Sequence, residues 1–192
     1  MQLQTLRYER ADTPAGQVAT ITFDEQGSPV NTMCLQWQHD MAAVTQQVVN
    51  DRDAIKGLIL ASAKTTFFAG ADLKGVMRMT AADAPRVYAE IERIKACFRT
   101  LETLGIPVVS CINGSALGGG MEVALIGHHR IAVDDAKLQL GLPELTLGLI
   151  PGATGITKFT RLLGLMGAQP YIMESKLFGP REALEIGVVH EL

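Results

Sequence analysis

The stretch Gly114-Ser115-Ala116-Leu117-Gly118-Gly119-Gly120-Met121-Glu122 constrains the fold of this chain more than any other. It follows the apolar run Val108-Val109-Ser110-Cys111-Ile112. Three consecutive glycines let a backbone turn tightly, approach a ligand closely and open a helix with its N–H groups free. A strand, this turn and then the apolar residues from Met121 to Ile126 read as a strand-to-helix connection of an α/β protein. Glu122 falls in the first helical turn. A second carboxylate, Glu144, comes 22 residues later inside Gly141-Leu142-Pro143-Glu144-Leu145, with Leu149-Ile150-Pro151-Gly152 close behind. A third segment of small residues lies upstream, Phe67-Phe68-Ala69-Gly70-Ala71-Asp72-Leu73.

The rest of the chain alternates between strand-like and helix-like patterns. Residues 18–23 alternate apolar side chains with threonine, the pattern of a half-buried strand. Gly27, Ser28 and Pro29 break the chain, and Asn31 or Thr32 is expected to cap a helix bearing Trp37, Met41, Val44 and Val48. Residues 57–61 form a continuous apolar run, expected to be a strand covered on both faces. A long helix is expected over 82–104, where Val87, Ile91, Ile94, Phe98, Leu101 and Leu104 make one stripe and Gly105 with Pro107 ends it. Strands follow at 108–112, 131–133 and 137–140, with helices at 119–127, 155–165 and 181–186. No internal sequence repeat, low-complexity tract or linker is visible, so residues 1–192 are expected to form one domain.

Composition narrows the function classes. At 192 residues the chain can bury a substantial core, and with 47% hydrophobic and 19% charged residues it reads as a soluble globular protein. A net charge of −3 argues against a nucleic-acid-binding face. Cys34, Cys97 and Cys111 are odd in number, far apart and without a CxxC pair, which favours reduced thiols over a disulfide framework or a zinc site. No apolar stretch approaches the length of a membrane span, and residues 1–12 have no apolar leader-like core. The expectation is a cytoplasmic protein.

Chemically, a glycine turn at a helix start offers backbone N–H groups to a developing oxyanion, and the small-residue loop Ala69-Gly70-Ala71 is placed to offer another. Two carboxylates among apolar neighbours suit general acid–base work, because burial raises at least one pKa toward neutrality. Each element also has a plainer reading. Glu122 alone complements a helix N-terminus, Glu144 alone is a solvated loop residue, Lys74 is a surface lysine and Asp72 braces its loop. His128 and His129, at a helix end, suit contacts with free carbonyls. A serine-peptidase arrangement is disfavoured, since Ser115 has no histidine implied beside it. No GxGxxG follows a strand, which disfavours a dinucleotide-dependent dehydrogenase in this chain.

Taken together, FAGADLK, NGSALGGGMEVAL and GLPELTLGLIPG resemble the crotonase (enoyl-CoA hydratase/isomerase) family, over nearly the whole chain. Pro29-Val30-Asn31-Thr32 and residues 178–192 look most like the N-terminal hydratase part of multifunctional fatty-acid oxidation enzymes that also carry a 3-hydroxyacyl-CoA dehydrogenase. The resemblance implies a ClpP/crotonase-like spiral of ββα units, with C-terminal helices that this chain lacks, and hence a fragment of a longer protein. It implies hydration of 2-enoyl-CoA, with Δ3-Δ2 isomerisation or non-catalytic acyl-CoA binding as alternatives. It assigns Glu122 to water activation, Glu144 to protonation of the α-carbon, and the N–H groups of Ala71 and Gly119 to the oxyanion hole. It assigns Ala69, Gly70, Asp72, Leu73 and Lys74 to coenzyme A. No metal or cofactor is implied, with NAD entering only through a following dehydrogenase domain. A homotrimer or hexamer, or fusion to the dehydrogenase with a thiolase partner, is the implied assembly. Thr154-Gly155-Ile156-Thr157-Lys158 departs from the Gly-Gly-Thr-Gln-Arg common in the family.

Overall fold

The computed structural model describes residues 3–192. The chain opens with strands β1 (Leu6–Thr13) and β2 (Gly16–Phe23), paired antiparallel with Leu6 opposite Phe23. Helix α1 (Leu35–Asp51) leads to β3 (Gly57–Ser62), which pairs parallel to β2. A short helix α2 (Leu73–Val76) and a 3₁₀ turn (Ala81–Asp83) precede the long helix α3 (Ala84–Glu102). Strands β4 (Val108–Ile112) and β5 (Ala116–Leu117) follow, then helix α4 (Gly119–Ala124), β6 (His129–Ala132) and β7 (Leu140–Gly141). A 3₁₀ segment (Pro143–Leu147), helix α5 (Gly155–Met173) and helix α6 (Pro180–Glu185) complete the order.

Five strands form one sheet in the order β1-β2-β3-β4-β6, all parallel except β1. Its buried face carries Ala19, Ile21 and Phe23, then Leu58 and Leu60, then Val108 and Ile112. Onto these pack Trp37, Met41, Val44 and Val48 of α1, and Phe98 and Leu101 of α3. Aromatic edges lock the contact: the Trp37 ring lies 5.3 Å from Phe68 and 6.4 Å from Phe98, and Phe23 meets Phe67 and Phe68 edge-on.

Beside the large sheet runs a second, narrower ladder. β5 pairs parallel with β7, and single bridges add Phe68 to Ala116, Met33 to Ala71 and Leu140 to Phe178. Each turn of chain therefore contributes a strand to the large sheet, a short strand to the ladder, and then a helix or 3₁₀ segment. Four successive turns of this kind make the spiral of ββα units that the sequence resemblance implies. The repeat is one of geometry, so no sequence repeat accompanies it.

Several expectations are corrected. β1 is missing from the sequence reading because only Leu6 of its eight residues is buried, so no alternation marks it. The cap of α1 is neither Asn31 nor Thr32 but Cys34, whose Sγ accepts the Trp37 N–H at 3.4 Å. β3 is buried on one face only: Leu58 and Leu60 are in the core, while Gly57, Ile59 and Ala61 are half-exposed. The strand expected over 137–140 shrinks to Leu140–Gly141, since Asp135 turns the chain by accepting the Lys137 N–H at 2.9 Å. The helix expected to end near 165 breaks at Gly164 (φ 73°, ψ 166°) and resumes to Met173. The α3 stripe also divides: Ile94, Phe98, Leu101 and Leu104 are core, whereas Val87 and Ile91 face a cavity.

Candidate active site

The glycine turn joins the ladder to the start of α4, and two of its glycines are required by conformation or close approach. Gly118 has φ 56°, a left-handed conformation natural to glycine. Its N–H donates to the Gly141 carbonyl at 2.9 Å, and its own carbonyl accepts the N–H groups of Met121 and Glu122. At Gly120 a Cβ would stand 2.1 Å from the Phe68 carbonyl oxygen, so any side chain would push the two ladder segments apart. The close approach extends to the next position. A Cβ on Gly70 would lie 3.5 Å from the Gly119 nitrogen, which sets the 69–71 loop directly beside the start of α4. As the first residue of α4, Gly119 has an N–H with no carbonyl to receive it within the helix.

Ala71 and Gly119 line one cavity of about 640 Å³, and Glu122 and Glu144 line it too. The loop that carries Ala71 is fixed by buried Asn31. Its amide donates to Ser62 Oγ at 2.9 Å and the Phe67 carbonyl at 3.2 Å, while its backbone carbonyl takes the Ala69 N–H at 2.9 Å.

Glu122 is 2% exposed. One carboxylate oxygen, Oε1, accepts the N–H groups of Ala153, Thr154 and Gly155 at 2.9, 2.8 and 2.7 Å. Burial pushes the carboxyl above its ordinary range, and the three donors pull the other way. Glu144 lies over the glycine turn, where a Cβ on Gly118 would stand 2.9 Å from its Oε1. Its Oε2 is buried with no hydrogen-bond partner. Burial pushes Glu144 up to about 7; the Glu122 charge adds to the rise and its own backbone N–H opposes it. One carboxylate is thus oriented by donors at one oxygen, and the other is raised by burial to about 7.

The spiral explains the spacing of the pair. Leu117 and Gly141 are register partners in the ladder, and each glutamate follows its ladder strand on the next short helix or 3₁₀ segment. One turn of the spiral therefore separates them in sequence and none in the cavity.

Of the residues that the resemblance links to coenzyme A, Asp72 lines the cavity, Ala69 is exposed on the loop before it, Leu73 and Lys74 are exposed in the first turn of α2, and Gly70 is buried under Leu117. Sequence reasoning did not identify the cavity walls Met33, Cys34, Val87, Ile91, Leu149 and Ile150. It also did not identify the donors at 153–155. Their one signal is a cluster of small residues before a helix, which says nothing about which carboxylate they meet. His128 has a structural role: its Nδ1 accepts the Val108 N–H at 3.1 Å and its Nε2 contacts the Glu102 carbonyl at 2.8 Å. Among the described residues, no three His, Cys, Asp or Glu side chains cluster to hold a metal ion, and no helix is long and apolar enough to cross a membrane.

Comparison with known proteins places this geometry among relatives. The model for the enoyl-CoA hydratase/isomerase family matches residues 13–192. The chain is 36% identical over 176 residues to the fatty acid oxidation complex subunit alpha of Shewanella amazonensis, and 37% identical over 177 residues to that of Shewanella oneidensis. Each alignment covers 91% of this chain but only 24% of the relative, so the chain spans about a quarter of the length of those proteins. Among solved structures, the enoyl-CoA hydratase of Bacillus anthracis superimposes with a TM-score of 0.85 at 31% identity, covering 98% of this chain and 69% of that one. A Geobacillus kaustophilus structure gives 0.88 at 26% identity, covering all of this chain and 69% of that one.

Proposed function

The chain belongs to the enoyl-CoA hydratase/isomerase family, and from that premise we propose that it hydrates trans-2-enoyl-CoA thioesters to 3-hydroxyacyl-CoA, a step of fatty-acid β-oxidation. The observation that carries this reading is the pair of carboxylates with unlike surroundings in one cavity, Glu122 held by three N–H donors and Glu144 raised to about 7.

In the proposed reaction the thioester carbonyl accepts hydrogen bonds from the N–H groups of Ala71 and Gly119. That interaction withdraws electrons from the conjugated double bond and stabilises the enolate oxygen as it forms. Glu122 keeps Oε1 on its backbone donors and receives a proton from water as the water oxygen bonds to the β-carbon. The π electrons move to the carbonyl oxygen. Protonated Glu144 then delivers its proton to the α-carbon as the enolate collapses. Overall, water adds across the double bond with no change in net oxidation state, so the reaction calls on no redox cofactor. Coenzyme A enters as part of the substrate, along the loop from Ala69 to Lys74. NAD would belong to a dehydrogenase domain, and fusion to one with a thiolase partner, in a cytoplasmic setting, is the context we propose from the Shewanella relatives. A homotrimer or hexamer is the corresponding expectation for a free-standing form.

Isomerisation of a Δ3-enoyl-CoA needs a single base that carries one proton from the α- to the γ-carbon, and Glu144 suffices for it. What favours hydration is the presence of Glu122 beside it, oriented and deep in the cavity. The test is loss of the conjugated thioester absorbance on mixing the protein with crotonyl-CoA. Glu122→Gln and Glu144→Gln are each expected to lower kcat about 10²- to 10⁴-fold. Hydration that survives both changes overturns the assignment.

A further inference from the structure

Glu122 and the start of α5 are joined at two points. The first is the set of N–H donors from residues 153–155 to Glu122 Oε1. The second runs in the opposite direction. Lys158, one turn further along α5, sends its ammonium to the Leu125 carbonyl at the C-terminal end of α4, the helix that carries Glu122. The same ammonium pairs with Glu102 in the last turn of α3, and Arg99 flanks the pair. Each contact obeys the helix dipole: a carboxylate from α4 sits at the positive end of α5, and a cation from α5 sits at the negative end of α4.

This second contact matters because it is the one hydrogen bond that a side chain at the start of α5 sends to α4, beside the packing of Ala153 and Gly155. Among the described residues, no side chain from 151 to 159 other than Lys158 makes a hydrogen bond, and Thr154 Oγ1 is buried without a partner. Ile150 just before the turn is exposed, and so are Leu162, Leu165 and Met166 further along. Phe159 is the large side chain of this part of α5 that is fully buried, with Ala153 and Leu163 packed beside the core.

We propose that Lys158 is a positioning residue for Glu122: by clamping α5 to the end of α4, it holds the N–H groups of residues 153–155 on Glu122 Oε1 and so keeps Glu122 aimed into the cavity. The inference rests on the proposed hydration only for its kinetic readout. Lys158 touches no reacting atom. It acts through the backbone of its own helix, on the segment where the sequence departs from the family pattern.

The test combines a spectroscopic readout with a kinetic one, on the whole chain labelled with ¹⁵N and with ¹³C at glutamate Cδ. In the parent, the amide resonances of residues 153–155 are expected to move together as Glu122 titrates, with Glu144 the other carboxyl facing it. In Lys158→Met the donors drift from Oε1. Those three amides then shift at all pH values and Glu122 titrates at a higher pH than in the parent. kcat for crotonyl-CoA falls about 10- to 100-fold with KM little changed, and Lys158→Arg restores both readouts. Should Lys158→Met fail to fold, because Glu102 loses its nearest cation and keeps only Arg99 at 3.9 Å, the double variant Lys158→Met/Glu102→Gln removes both charges and is expected to show the same Glu122 shift. A folded variant in which the Glu122 titration and the 153–155 amides match the parent overturns the proposal. If the parent does not hydrate crotonyl-CoA, the proposed reaction falls, while the Glu122 titration still decides the clamp.

Discussion

Glu122 and Glu144 carry the same functional group on consecutive turns of the spiral, in unlike surroundings. Burial raises the Glu122 carboxyl above its ordinary range, and three backbone donors on one of its oxygens oppose part of that rise. Glu144 has a buried oxygen without a donor and a negative neighbour, so it holds its proton to about pH 7. If the protonated form of Glu144 is the one that works, kcat is expected to fall about tenfold per pH unit above roughly pH 7, and a pH–rate profile in saturating crotonyl-CoA checks it. The same shift has a consequence for stability. The folded state binds the Glu144 proton more tightly than the unfolded chain, about 7 against 4.5, so it holds more protons throughout that window. Stability contributed below pH 4.5 is therefore lost as pH rises toward 7. Glu144→Gln escapes that loss and is expected to be more stable than the parent at pH 8 by on the order of 1–2 kcal/mol after allowing for solvent screening. Urea midpoints measured at pH 4 and pH 8 decide it, and equal midpoints for parent and variant at pH 8 would count against the burial of Glu144.

At the scale of elements, the decisive contacts are those where backbone meets backbone. Gly120 packs against the Phe68 carbonyl so closely that Gly120→Ala forces the 68–71 loop away from α4. That change is expected to cost about 2–3 kcal/mol and to raise KM by moving the Ala71 N–H. Gly57→Ala, where a Cβ meets only the Pro107 carbonyl at an ordinary 3.5 Å, is expected to stay within about 1 kcal/mol of the parent. Equal stabilities for the two variants by urea denaturation would show that the turn tolerates a side chain. The glycine turn was readable in the sequence because three adjacent glycines are a local signal, and so were α1, α3 and β4, whose apolar periodicity is strong. β1 was not readable, since an exposed edge strand has no buried face to write a pattern. The donors to Glu122 were not readable either. They come from 31 to 33 residues away, and no local rule connects a carboxylate to a helix start at that distance.

For the whole molecule, the spiral is what brings separate motifs to one cavity. The ladder stacks Phe68, Ala116 and Leu140 as neighbours, and the segments just past them carry Ala71, Gly119 and Glu144. Nothing in this stacking requires the turns to share sequence, which is why the repeat is invisible in the chain itself. It does require that no turn fold alone, because each ladder strand is only one or two residues of pairing. Trp37, the one tryptophan, stands where three parts of the chain meet: α1 itself, the 67–71 loop through Phe68, and α3 through Phe98. We therefore expect residues 1–192 to unfold as one cooperative unit. Trp37 fluorescence and far-UV circular dichroism are expected to trace superimposable urea transitions with one midpoint and one slope. A Trp37 transition that precedes loss of the far-UV signal would mean that α1 and α3 leave the sheet while other turns persist. In that case the cavity would belong to a locally unstable part of the molecule, and substrate would have to order it on binding.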